Sequence, residues 1–326
     1  MHLLYLRPST TFGCARGPHT RMRASVCLLA AAAGASTSSV LPRADALSRH
    51  RLAGAPNVWK LPLPEPSLSA ACAVFDELLP YLEDGLIEEL QAEPVPCRAV
   101  ETRHGRYFVM RAGSSTNEQL RDSSDLAWIS VDDRTAWDTF ANIFDASGVA
   151  EALAPLVDLE AGVRLYSSFF VVRSRCSAPN MHTDWPDAVE TNAFTLLAPL
   201  DDYATSDFHL LFHGSTEEGG RSELQRYTYR RGEALTFASR FVHSTEPGAA
   251  LNGHREPHAF LCFTFGSDKA EHWSDIRPVI GGYQSRFLCR YDGEFELTDL
   301  GKYLRDEEEA EAGRESDSAE KVDVFA

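Results

Sequence analysis

Between Gly162 and Gly266 the sequence passes through six short apolar spans with turn signals between them and no helical periodicity. The spans 163–173, 193–200, 208–212, 225–229, 234–243 and 258–265 read as strands, punctuated by Glu218-Gly219-Gly220-Arg221, Arg231-Gly232 and Pro247-Gly248. Parallel strands need crossovers of a dozen or more residues, usually helices. Strands this closely spaced therefore predict an antiparallel sandwich or barrel.

The sequence before this region supplies flanking helices. Leu68, Cys72, Phe75, Leu78, Leu79 and Leu82 recur at steps of mostly three and four residues, which predicts a helix packed on a core. Residues 98–111 read as a hairpin turning near His104-Gly105, with His104 a turn residue. Residues 132–144 read as an amphipathic helix with Trp137, Phe140 and Phe144 on its buried face. The expected class is mainly β with flanking helices.

At 326 residues the chain is long enough for one large domain, expected over 61–303. Residues 1–60 have the composition of a targeting leader: six arginines stand between Arg7 and Arg49, and the first acid is Asp45. A short apolar core at 26–33 follows Arg21 and Arg23 and precedes Gly34-Ala35-Ser36, as in a secretory signal peptide. The Arg- and Ser-rich flanks suit a mitochondrial or plastid transit peptide equally, so the expected location is the secretory pathway or an organelle. Residues 304–326, headed by Glu307-Glu308-Glu309 just after Asp306, are expected to be an acidic disordered tail. A net charge of −17 argues against nucleic acid and anionic membrane as general partners, since both are bound through basic patches. No segment approaches the roughly twenty apolar residues of a membrane span. Seven cysteines without a CxxC pair form neither a disulfide framework nor a zinc-finger pattern.

The chemistry-bearing residues are His182-Thr183-Asp184 and, about sixty positions on, His243. Alternate strand residues point to one side of a sheet, so His182 and Asp184 can project together while His243 comes from a neighbouring strand. Two imidazoles and one carboxylate on one face of a metal suit Fe(II) and leave positions open for other ligands. Other candidates have plainer readings. Trp185-Pro186 shapes the loop after Asp184 or walls a pocket. His209 and His213 are structural, His272-Trp273 lacks a partner at ligand spacing, and Cys262 is a core residue.

From about Leu165 to Gly266, the succession MHTDW, TNAFTLLAPL, DFHLLFHG, RRGEALTFASRFVHSTEPG and HAFLCFTFG resembles the Fe(II) and 2-oxoglutarate-dependent dioxygenases, the prolyl-4-hydroxylase-like branch in particular. The resemblance implies a double-stranded β-helix, a jelly roll of two facing sheets, with Fe(II) held by His182, Asp184 and His243. It implies 2-oxoglutarate as co-substrate, dioxygen as oxidant and ascorbate as reductant. It also implies a basic residue, on or just before the last strand, for the distal carboxylate. Arg255 lies twelve positions after His243 and His258 at the strand's start; Arg164, Arg173 and Tyr166 are further candidates, whereas Arg240 reads equally as a surface charge. Asn192 either contacts the co-substrate or caps a turn. The retained carboxylate, which related halogenases lack, favours hydroxylation or oxidative demethylation; the expected reaction is hydroxylation of a C–H bond in a protein side chain, proline included, or in a small metabolite. The competing readings are a β-barrel binding protein that has lost turnover and a cupin-type metal enzyme that does not use 2-oxoglutarate.

Overall fold

The computed structural model describes residues 47–82, 97–111, 124–203, 209–215, 221–249, 258–282 and 285–322. Strands β1 (Arg51–Leu52) and β2 (Ala55–Pro62) lead into helix α1 (Glu65–Tyr81). The hairpin β3 (Cys97–Thr102) and β4 (Gly105–Arg111) and strand β5 (Ser124–Val131) precede α2 (Arg134–Ser147) and the short α3 (Val149–Leu153). Then come β6 (Arg164–Cys176), β7 (Ala193–Pro199), β8 (Leu210–Ser215), β9 (Arg221–Tyr227), β10 (Glu233–Phe237), β11 (His243–Thr245), β12 (Gly248–Ala249) and β13 (His258–Gly266). Helix α4 (Ala270–Ile280), the pair β14 (Phe287–Cys289) and β15 (Phe295–Leu297), and helix α5 (Asp299–Val322) complete it.

The strands form a large antiparallel sheet in the order β1-β2-β10-β7-β13-β6-β5-β4-β3, with β12 added beside β6, and a small sheet in the order β11-β8-β9. One face of the large sheet carries Phe169, Leu235, Phe237, Phe260 and Cys262, which pack with Leu210, Phe212 and Tyr227 of the small sheet. The opposite face carries Phe170, Leu261, Phe263 and Phe265, which pack under α1 and α2 through Leu68, Phe75, Phe140 and Phe144. All nine residues of β13 are buried, which explains why HAFLCFTFG reads as a continuous apolar run: both of its faces are covered. This is a mainly β jelly roll backed by helices.

Local chemistry sets the element ends. The Asp133 carboxylate caps α2 by accepting from Ala136 N at 2.8 Å and also accepts from Arg106 N at 3.0 Å; Gly148, at φ 68°, ends the helix in the left-handed conformation. The span 234–243 is not one strand. β10 stops at Phe237, the chain turns through Arg240 at φ 65°, and β11 begins at His243 in the other sheet. That left-handed residue is what allows the crossing, and a non-glycine there leaves no signal in the sequence.

Two further expectations need correction. Residues 55–60, assigned to the leader, are the greater part of β2: Val58, Trp59 and Leu61 of that strand are buried, and it pairs with β10. Of the remaining leader, residues 47–54 are described and include β1, and residues 1–46 lie outside the described residues. The acidic tail is helical through Val322, because Glu, Ala, Lys and Arg have high helix propensity even in a charged run. Its start is anchored by buried Leu300 and by Arg286, which grips Glu308 at 2.9 and 2.7 Å and approaches the buried carboxylate of Asp132 at 3.4 Å. Strand β5 and helix α4 were not anticipated. Among the described residues no helix is long and apolar enough to cross a membrane.

Candidate metal centre and its cavity

His182 and His243 form an isolated antiparallel bridge, each backbone N–H donating to the other's carbonyl at 2.9 Å. His243 begins β11, so this single rung hangs the His182 segment on the edge of the small sheet. Two residues later the chain brings Asp184 close to both rings, with Oδ1 3.4 Å from His182 Nε2 and 3.7 Å from His243 Nε2. Three ligand atoms, one from each residue, lie within 4.8 Å of one another. Donors bonded at about 2.1 Å and at right angles around one ion sit about 3 Å apart, so only a small contraction would close this triad on a metal.

The hydrogen bonds fix which atoms face the ion. His182 Nδ1 lies 2.7 Å from Asn180 O and His243 Nδ1 lies 3.0 Å from Phe241 O. A carbonyl oxygen only accepts, so each Nδ1 carries the proton and each Nε2 presents its lone pair. The His243 ring is further held by stacking on Phe241 at 4.9 Å and by Phe237 at 4.7 Å. Asp184 Oδ2 accepts from the Thr195 hydroxyl at 2.8 Å, and that hydroxyl accepts from Trp185 Nε1 at 3.1 Å. Burial raises the Asp184 carboxyl, but a proton on either facing ring, acting from His182 by a hydrogen bond and from His243 by charge, together with the Thr195 hydroxyl brings it below its ordinary value. It is an anion ready to bind a cation.

The triad opens into a cavity of about 420 Å³ between the sheets, walled mainly by apolar residues including Phe169, Leu197, Leu210 and Phe260. Apart from the triad, the one formally charged side chain among the described lining residues is Arg173. Burial lowers its pKa, the leading groups that offset this are Cys176, which also hydrogen-bonds it, Tyr229 and Cys262, and its Nε has no hydrogen-bond partner among the described residues. Tyr229 also lines the cavity, its hydroxyl pKa raised by burial and moderated by the nearby Arg173. Arg173 is half-buried, and a cation partly withdrawn from water without a counter-charge is costly unless an anion joins it.

The other candidates stand elsewhere. Arg255 lies outside the described residues. His258, directly opposite Arg173 across β13 and β6, stacks on Tyr203 at 4.0 Å and is not part of the cavity wall. Asn192 Oδ1 accepts from Asp158 N at 3.0 Å and its carbonyl accepts from Ser267 N at 2.8 Å, which is turn chemistry. Tyr166 is buried, with its hydroxyl donating to Ser267 O at 2.6 Å, and Arg164 donates to Tyr291 O at 3.3 Å. Neither lines the cavity. Arg240 faces Asp187 at 3.5 Å on the surface. His272 does have partners: Asp158 at 3.2 Å and Glu271 at 3.8 Å, two exposed carboxylates whose charge is partly offset by Lys269, 2.5 Å from Asp158. The sequence reading missed Thr195 and Tyr229. Thr195 alternates with inward-facing Leu197 on β7, a spacing that marks its hydroxyl as pointing at the site.

No protein-family model matches the chain, and no curated protein is similar to it at a significant level. Solved structures are. AviO1 from Streptomyces viridochromogenes is 16% identical with a TM-score of 0.44, over 70% of this chain and 96% of that one. The non-haem alpha-ketoglutarate-dependent epimerase SnoN from nogalamycin biosynthesis is 15% identical with a TM-score of 0.43, over 68% and 79%. A Pseudomonas putida prolyl-4-hydroxylase is 12% identical with a TM-score of 0.38, over 68% and 96%. The likeness is one of fold.

Proposed function

We propose that the chain is an Fe(II) and 2-oxoglutarate-dependent oxygenase that hydroxylates a C–H bond of a protein side chain or a small metabolite. The observation that carries this reading is the pairing, in one cavity, of an open His-Asp-His face with a half-buried arginine that lacks a carboxylate partner among the described residues. Such a ligand face suits non-haem Fe(II), and a single arginine at a distance from it suits a dicarboxylate whose far end needs a cation.

In this reading His182, Asp184 and His243 hold the metal from one side. Arg173 receives the distal carboxylate through its planar fork and the Tyr229 hydroxyl adds a donor, while Phe169, Leu197 and Phe260 keep water from the space between. Bound iron, with 2-oxoglutarate and dioxygen, supplies the oxidising power: substrate, 2-oxoglutarate and O₂ give hydroxylated substrate, succinate and CO₂. The exposed side of His182 and the neighbouring Thr183 leave the centre accessible from solvent, where a substrate group can approach. Epimerisation, as named for SnoN, is a reaction of that protein.

The test is to load the full chain anaerobically with Fe(II), admit oxygen and follow conversion of 2-oxoglutarate to succinate beside an Asp184→Ala control. Turnover that disappears in the control is the expected result. Metal binding without any effect of 2-oxoglutarate would instead favour a metal enzyme of another kind, and no metal binding would leave a barrel without this chemistry.

A further inference from the structure

The chain Trp185–Thr195–Asp184 has a direction that chemistry dictates. An indole N–H is a donor only, so Trp185 Nε1 must donate to Thr195 Oγ1 across 3.1 Å. The Thr195 hydroxyl has one proton, and with one lone pair engaged by the indole that proton is aimed along the remaining 2.8 Å contact, to Asp184 Oδ2. All of this happens away from bulk water, since Trp185 is 1% and Thr195 5% exposed. The other carboxylate oxygen, Oδ1, is the one that both imidazole Nε2 atoms face.

We infer that Thr195 is a positioning residue: its hydroxyl, aimed by Trp185, occupies one oxygen of Asp184 and restricts that ligand to a single metal bond. This inference rests on the metal reading above. A carboxylate can bind a metal through one oxygen or two, and the second bond would take a position that a co-substrate needs. Thr195 sits on β7, hydrogen-bonded in the large sheet between β10 and β13, so the restraint is delivered from a strand paired on both sides rather than from the loop that carries Asp184. Trp185 acts through Thr195 and need not touch the ion.

The experiment titrates Co(II) into the full-length chain and into Thr195→Val, Thr195→Ser and Trp185→Phe, following affinity by calorimetry and coordination number by the visible Co(II) spectrum. Valine keeps the shape and removes the hydroxyl, so Thr195→Val is expected to lose roughly 10- to 100-fold in affinity, as when an outer-shell partner is removed, with an altered spectrum. Thr195→Ser, which keeps the donor, is expected to restore both. Trp185→Phe frees the hydroxyl proton to rotate and is expected to fall between them. Wild-type affinity and spectrum in Thr195→Val would overturn the inference. If that variant does not fold, an unchanged spectrum and affinity in folded Trp185→Phe would overturn it equally. A wild-type chain that binds no Co(II) defeats the metal reading itself, a result distinct from either.

Discussion

Arg173→Leu separates the co-substrate reading from a purely structural one because its effect changes sign with the ligand. Without ligand, the substitution removes a cation that burial penalises and that no described carboxylate compensates, so the variant should melt no lower than wild type. With a dicarboxylate bound, the same substitution removes charge-assisted hydrogen bonds and strands a carboxylate among Phe169, Leu197 and Phe260. A loss of about 3 kcal/mol is the scale for such a broken pair, roughly a hundredfold weaker binding. If 2-oxoglutarate is supplied at about a hundred times the wild-type Kd, ligand binding stabilises wild type by about 2.7 kcal/mol and the variant by about 0.4 kcal/mol. At about 2–4 °C per kcal/mol for a large domain, wild type should melt about 5–10 °C higher with ligand and the variant only about 1–2 °C higher. The assay is thermal unfolding of the metal-loaded protein under nitrogen, with and without 2-oxoglutarate. Arg255→Leu and His258→Phe should keep the wild-type shift. A full shift in Arg173→Leu, or its loss in either of the other two, would refute the assignment.

Other expectations follow from the same structure. Phe140→Ala empties a site where Phe140 meets Tyr107, Phe170 and Phe263, and should cost about 3–5 kcal/mol in urea unfolding without changing the slope. Gly266→Ala would place a Cβ inside contact distance of the Asn192 carbonyl oxygen and the Ala193 backbone, where β13 meets β7, and should cost at least about 1 kcal/mol, read as a lower urea midpoint. Asp268 accepts from the backbone N–H groups of Glu160, Ala161 and Gly162 at 2.7–2.8 Å, and against the opposing effect of burial these bonds hold its pKa below 3.8. Its folded pKa is lowered, so the stability it contributes is present above 3.8 and lost as pH falls through the folded value. Asp268→Asn should flatten that acid limb of a stability-against-pH curve and leave the variant less stable than wild type near neutrality.

The jelly roll was legible because its central strands alternate or run apolar over lengths that only a covered sheet explains, and the triad because HxD spacing on an extended chain and a remote histidine meet one chemical demand. What was hidden had physical reasons. Whether Arg173 or His258 faces the cavity depends on side-chain direction across a strand pair, and the two stand directly opposite each other. The break at Arg240 lies inside an unbroken β-like run and hinges on one left-handed residue. Thr195 looks like any β-branched strand residue until folding sets the Asp184 carboxylate against its hydroxyl. Residues 55–62 carry prolines at 56 and 62 and border an arginine-rich segment, which masks a buried strand.

The rung between His182 and His243 is made of backbone amides, and neither histidine side chain contributes to it. Ligand identity and chain path are thereby uncoupled at the centre. Replacing either imidazole leaves the two N–H···O bonds that moor the loop, so metal-free variants can keep the architecture of the metal-binding one. Evolution can trade the donor set at these two positions, and an experimenter can silence it, without redrawing the barrel.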